Sequence, residues 1–168
     1  MTNAPRKQPE QQAPPVQKLQ VRYAKRGRAR FTSHRDFSRA FERALRRAGV
    51  PMAYSSGYNP HQRVSFANAS PTGAATEAEY LEIGLREVAD PEAVRVALDA
   101  ALPDGLHVLE VVPAPPGGIA DRLTASAWQI GVTGVPRAVL DRAVAALLAA
   151  QVVAVPRLPK PGMRTFDA

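Results

Sequence analysis

FTSHRDFSRAFERALRRAG, residues 31–49, carries nearly every signal a helix can carry. Ser33 is an N-cap residue, and Asp36 stands three positions later, as a capping box requires. Phe37, Ala40, Phe41, Ala44, Leu45 and Ala48 recur at helical spacing and define one apolar face. Gly49 is a natural C′ stop, and Pro51 forbids continuation. The opposite face carries Arg35, Arg39, Arg43, Arg46 and Arg47, relieved only by Asp36 and Glu42. Like charges at i and i+4 repel by a few tenths of a kcal/mol per pair (~0.2–0.5). The stripe therefore has a purpose other than helix stability, or it is a solvated face that tolerates the cost.

Reading outward from this helix gives the fold. On its N-terminal side, Val16 to Ala24 alternates, with Leu19, Val21 and Tyr23 on one face and Lys18, Gln20 and Arg22 on the other, so it reads as a half-buried strand. Lys25 to Arg28 is a basic turn, and Ala29 to Thr32 is expected to continue or pair with that strand. On the C-terminal side, Val50 to Ser55 reads as a short strand, Gly57 to Gln62 as a loop and Arg63 to Ala67 as a strand. Ser70 to Thr76 is a second loop. Glu79 to Leu85 is a strand with Tyr80, Leu81, Ile83 and Leu85 apolar and Glu79 and Glu82 outward. Asp90 caps a helix that Pro91 opens and that runs to about Leu102, burying Val94, Ala97, Leu98 and Ala101. Leu106 to Val112 is a strand.

Residues 16–113 thus read β-α-β-β-α-β, an α+β domain in ferredoxin-like order. Residues 1–15, Pro/Gln-rich and polar, are expected to be a disordered tail. Residues 114–122, with PAPPGG leading in, are expected to be a linker. Residues 123–168 read as a second, partial ferredoxin-like unit. It has a strand over Leu123–Thr133 with the single Trp128, and a helix over Pro136–Ala150 burying Val139, Leu140, Ala143, Val144 and Leu147. A strand over Gln151–Val155 follows, and then a final hairpin strand near Arg164–Phe166.

Composition bounds the function. The chain has 168 residues, of which 45% are hydrophobic, enough to build a core. It contains no cysteine, which excludes disulfides, thiolate metal sites, cysteine-bound iron–sulfur clusters and a cysteine nucleophile. No stretch has the ~20 apolar residues of a membrane span, and the N-terminus lacks an apolar signal core, so the expected compartment is the cytoplasm. Net charge is +7, unevenly spread. Residues 16–50 hold 11 Lys/Arg against 2 Asp/Glu (+9), while residues 51–115 hold 3 against 9 (−6). A single basic block on an otherwise acidic-to-neutral body is the footprint of a polyanion-binding face.

Two motifs offer chemistry. His34 opens the helix, where an imidazole can serve as a general base or hydrogen-bond a ribose 2′-OH; the plain alternative is an exposed first-turn residue. Gly57-Tyr58-Asn59-Pro60-His61 is a loop in which Tyr58 and His61 can stack on unpaired bases and Asn59 can read a base edge, with Arg63 placed for a phosphate. Its plain alternative is a hairpin loop. Arg30 adds a further cation ahead of the helix. Glu77 and Glu79 have no His or Asp at ligand spacing, so a strand-face salt bridge is the better reading. There is no P-loop, dinucleotide fingerprint, HExxH or GxSxG, and no metal or cofactor is expected.

Thr32-Ser33-His34-Arg35-Asp36, followed by Arg39, Glu42, Arg43, Ala44, Leu45 and Arg46, resembles the start of a bacterial family of radical-SAM-linked proteins. The resemblance continues through Tyr54-Ser55, Gly57 to Phe66, Pro71, Gly73 and Glu79-Tyr80, and covers about residues 16–155. Arg35 stands where an aliphatic residue is usual and Gln62 where a second proline is usual. The family normally continues beyond Thr165–Ala168, so the second unit is expected to be truncated. The family occurs alone or fused to radical SAM enzymes, and its own biochemical function is unassigned. The resemblance implies a radical SAM enzyme acting in trans, since this chain has no cysteine for the cluster.

The leading expectation is a non-catalytic RNA-binding module, directed to tRNA or rRNA, that serves an RNA-modifying partner. Arg30, His34, Arg35, Arg39, Arg43, Arg46, Arg47 and Arg63 would hold phosphates and ribose, and Tyr58, Asn59 and His61 would hold bases. The alternative is a protein-interaction subunit whose arginines dock an acidic surface. A third reading is a metal-independent endoribonuclease with His34 as general base, which expects the 57–63 loop, and His61 as acid, beside it.

Overall fold

The computed structural model describes residues 11–67, 69–157 and 164–167, and the expectation for residues 1–10 lies outside them. Contacts divide the chain into two units, Met1–Ala125 and Ser126–Ala168. The first unit is a mixed α+β structure: β1 (Gln17–Lys25), α1 (His34–Arg47), β2 (Val64–Phe66), β3 (Thr76–Leu85), α2 (Pro91–Ala101) and β4 (Leu106–Pro113). The four strands form one antiparallel sheet in the order β2-β3-β1-β4.

Helix α1 starts and stops where its sequence dictates. The Asp36 amide donates to Ser33 Oγ at 3.2 Å, and Ser33 Oγ donates to Asp36 Oδ2 at 2.7 Å. At the other end Gly49 takes φ of +67°, a conformation that costs a residue with a Cβ. Its amide donates to Arg46 O and that of Val50 to Leu45 O, the paired bonds of a Schellman motif. Asp90 caps α2 by accepting from the Glu92 and Ala93 amides. Phe37, Phe41, Ala44 and Leu45 of α1 and Val94 and Leu98 of α2 pack on Leu19, Val21, Leu81, Ile83 and Leu85 of the sheet. Burial of each large side chain contributes about 1.5–3 kcal/mol.

Several expectations are corrected. Residues 27–31 form a 3-10 turn rather than strand, because Gly27 at φ of +50° swings the chain so that the Ala29 amide donates back to Arg26 O. Val50–Ser55 makes only the isolated bridges Met52↔Leu85 and Tyr54↔Gln62; Pro51 has no N–H to sustain a ladder. Glu79 faces inward, not outward, and is 3% exposed. Alternation counted back from Leu85 puts Ile83, Leu81 and Glu79 on one face, so Tyr80 joins Glu82 on the other. Residue 12 bonds the turn at Ser56, and residues 114–122 touch the sheet. The Gln12 amide donates to Ser56 Oγ, the Ala114 amide donates to Lys18 O, and Arg122 bonds Gln20 Oε1 at 3.1 Å.

In the second unit, α3 (Arg137–Ala149) precedes a hairpin of β5 (Ala154–Arg157) and β6 (Arg164–Asp167). The hairpin near Arg164–Phe166 is as expected. Leu123–Thr133 forms no strand: β5 pairs with β6, and an alternating pattern without a partner makes no ladder. Trp128 is 61% exposed. The helix residues expected to be buried, Val139, Ala143, Val144 and Leu147, are exposed, and only Leu140 is half-buried. A two-stranded ribbon offers too little apolar surface to cover a helix face. Among the described residues no helix is long and apolar enough to cross a membrane.

Candidate nucleic-acid interface

The site begins with helical geometry. At 100° per residue, Arg35, Arg39, Arg43 and Arg46 fall within an arc of about 80°, centred opposite Phe37, Phe41, Ala44 and Leu45. The core fixes the apolar face, so the same packing turns the four guanidinium groups outward. All four are exposed. None makes an ion pair or side-chain hydrogen bond among the described residues, and Glu42, half-buried between them, makes none either. Arg35 and Arg46 stand eleven residues apart, so the row is about 16 Å long. Arg47 differs: it caps the end of α2 by donating to the Ala101 carbonyl. Arg30 lies over the Phe31 ring, 4.7 Å from its centroid.

His34 is exposed at the head of α1 and meets Phe66 edge-on, with centroids 4.8 Å apart and planes at 82°. Phe66 in turn contacts Phe37, which stacks on Tyr23 at 4.5 Å. Behind this stack lies a polar cluster that sequence reasoning missed. The Tyr23 hydroxyl donates to Glu79 Oε2 at 3.3 Å, and Glu79 Oε1 accepts from the Ser70 amide at 2.8 Å. Lys25, 3% exposed, sets its ammonium 5.9 Å from the Phe37 centroid. Burial, reinforced by the Glu79 carboxylate, pushes the Tyr23 hydroxyl pKa well above the usual phenol value. The cluster fixes the 70–76 loop against the sheet. The signal for it was parity: Tyr23 and Lys25 share a face of β1, and Glu79 lies opposite Tyr23.

The second motif is a closed turn. Tyr54 and Gln62 bridge at its base, the Ser55 amide donates to His61 O, and the His61 amide donates to Ser55 Oγ at 3.0 Å. Gly57 adopts φ of +124°. Tyr58 is 69% exposed, and Asn59 and His61 are exposed beside it. Arg63 is half-buried and clasps the turn by donating from Nε to Tyr54 O at 3.0 Å. The turn leaves the sheet before Val64, whereas His34 touches Phe66. Five residues, about 16 Å of extended chain, separate His61 from Phe66. His34 and His61 therefore sit toward opposite ends of β2 and do not form an acid–base pair.

Glu77 pairs with Arg26 at 2.5 Å on the surface, the strand-face salt bridge expected for it. No group of three metal-ligating side chains occurs among the described residues. Chemically, the surface offers a row of cations that form no ion pair among the described residues, an exposed imidazole and a separate exposed aromatic turn. Cations and exposed aromatic faces are the groups from which single-strand nucleic-acid sites are generally built.

The model of a family described as an uncharacterized protein conserved in bacteria (DUF2344) matches residues 18–168. No curated protein matches the chain.

Proposed function

The chain belongs to that uncharacterized bacterial family, and from this premise we propose that it is an RNA-binding accessory module. In this reading it is cytoplasmic, non-catalytic and linked to a radical SAM enzyme that modifies tRNA or rRNA. The observation that carries the reading is the row of Arg35, Arg39, Arg43 and Arg46, exposed, turned away from the core and without an ion pair among the described residues. Unpaired like charges on one helix face repel, and a polyphosphate chain relieves that repulsion by replacing the counterions they hold. The turn at Tyr58–His61 supplies stacking surface for bases.

The partner class rests on the resemblance of the Thr32–Asp36 and Gly57–Phe66 motifs to radical-SAM-linked proteins. With no cysteine in this chain, the cluster belongs to the partner. We read the first unit as ferredoxin-like. Its β-α-β-β-α-β element order supports this, as does the sheet, which reads β4-β1-β3-β2 from its other edge.

The test is electrophoretic mobility of total tRNA with the wild-type chain and with an Arg39→Ala/Arg43→Ala variant, in EDTA. Retarded, intact tRNA with the wild type and loss of retardation in the variant is the expected result. No retardation, together with capture of a protein partner that survives nuclease treatment, transfers the arginines to an acidic protein surface. Cleavage that disappears in His34→Ala makes the chain an enzyme instead.

A further inference from the structure

Two side chains at the head of α1, Arg30 and Phe31, stand outside the arginine row. Phe31 is 60% exposed, whereas Phe37 and Phe41 are buried and Phe66 is half-buried. The Arg30 guanidinium lies over the Phe31 ring, 4.7 Å from its centroid. A planar cation over an aromatic ring is a favourable pair, and this one stands at the surface rather than in the core.

The backbone holds the pair in place. The Gly73 amide donates to Arg30 O at 2.8 Å, and the Thr32 amide donates to Ala29 O at 3.0 Å. Both neighbours of Phe31 are thus pinned. Gly73, at φ of +96°, lies along one edge of the ring, where a Cβ would meet Phe31 Cε1 at 3.6 Å. A ring positioned in advance lowers the ordering cost of binding. Phe31 lines neither the cleft beside Arg63 and Gly84 nor the one between the ends of α1 and α2. An apolar anchor from a protein partner fills a pocket, whereas a nucleobase stacks on a planar face. Four residues separate Phe31 from Arg35, at most about 14 Å of chain, and the exposed His34 lies between them.

We propose that Phe31, backed by the Arg30 guanidinium, is the stacking platform for an unpaired base of the strand whose phosphates lie on Arg35, Arg39, Arg43 and Arg46. The inference rests on the RNA-binding reading and narrows it. The ligand is single-stranded where it reaches the head of α1, because a base inside a duplex is already stacked on both faces and only an unpaired one is free to meet a side chain. Arg30 then serves a base and not a phosphate. Stacking accepts every base and follows stacking strength, so purines are preferred. The platform is separate from the Tyr58–His61 turn, which lies toward the other end of β2.

Fluorescence anisotropy of the full chain with a labelled adenosine octaribonucleotide tests the proposal. Phe31→Ala should lose about tenfold in affinity, with an unchanged slope of log affinity against log salt and an unchanged circular dichroism spectrum. Inorganic polyphosphate and a blunt RNA duplex should bind wild type and Phe31→Ala alike. Phe31→Trp in a Trp128→Phe background should keep the wild-type affinity and lose emission on binding the octamer but not on binding polyphosphate. An octamer affinity that Phe31→Ala leaves within about twofold overturns the platform, as does an equal loss for octamer and polyphosphate. Emission that the octamer leaves unchanged overturns it too. Each of these results leaves the arginine row standing. Octamer binding that Arg39→Ala/Arg43→Ala does not weaken removes the row alone, and absence of octamer binding by the wild type removes both.

Discussion

Removing two arginines from α1 should make the protein more stable. In Arg39→Ala/Arg43→Ala, the repulsions of Arg35 with Arg39, Arg39 with Arg43, Arg43 with Arg46 and Arg43 with Arg47 disappear. The weak attractions of Arg39 for Asp36 and Glu42 are lost. Asp36 is already bonded to Ser33, and Glu42 makes no ion pair with any of them. At ~0.2–0.5 kcal/mol per pair, the net relief is about 0.4–1 kcal/mol, and alanine is also the better helix former. Neither side chain packs in the core, so no cavity opens. Urea unfolding followed by far-ultraviolet circular dichroism at low salt should show a higher midpoint with an unchanged slope, and the gain should shrink at about 1 M salt, where the Debye length is about 3 Å. A variant destabilised by more than 0.5 kcal/mol would refute the reasoning, because it would mean that the arginines hold the fold together.

Other outcomes follow from the core. Phe37→Ala removes a ring that is 1% exposed and stacked on Tyr23, and thermal melts should show a loss of about 3–5 kcal/mol. Gly49→Ala forces a Cβ onto φ of +67° and should cost about 1–2 kcal/mol in the same melts. The Tyr23 hydroxyl pKa is raised in the folded chain, so its contribution to stability is complete below the unfolded phenol pKa, about 10, and is lost as pH rises above it. The slope is at most about 1.4 kcal/mol per pH unit. Urea midpoints measured from pH 9 to 11 should therefore fall more steeply for the wild type than for Tyr23→Phe; parallel falls would mean that Tyr23 ionises freely.

What was legible in the sequence is what local chemistry determines. The limits of α1 follow from Ser33 and Gly49, those of α2 from Asp90 and Pro91, and the arginine row from the position of Phe37, Phe41 and Leu45. Those features need only neighbours within a few residues. What was not legible depends on partners distant in the chain. Glu79 looks like a surface carboxylate until Tyr23 lies opposite it and the Ser70 amide closes on its second oxygen. Leu123–Thr133 has a strand's alternation and nothing to pair with. The close approach that needs a glycine at position 84 was invisible because Pro15, 69 positions earlier in the chain, packs against it. A ferredoxin-like layout puts His34 and the 57–63 loop side by side, but the turn leaves one end of β2 and the imidazole packs at the other.

The central claim is that the arginine row on α1 holds RNA phosphates, and salt dependence tests it most directly. Four contacts to a single strand give a slope of log affinity against log salt of about −2.8, at ~0.7 per phosphate. Fluorescence anisotropy of a labelled single-stranded oligoribonucleotide across 50–300 mM salt should give that slope for the wild type. Arg39→Ala/Arg43→Ala should halve it to about −1.4 and cost about 25-fold in affinity at 0.1 M. A slope that is flat in the wild type, or equally steep in the variant, would contradict the assignment of RNA to this face.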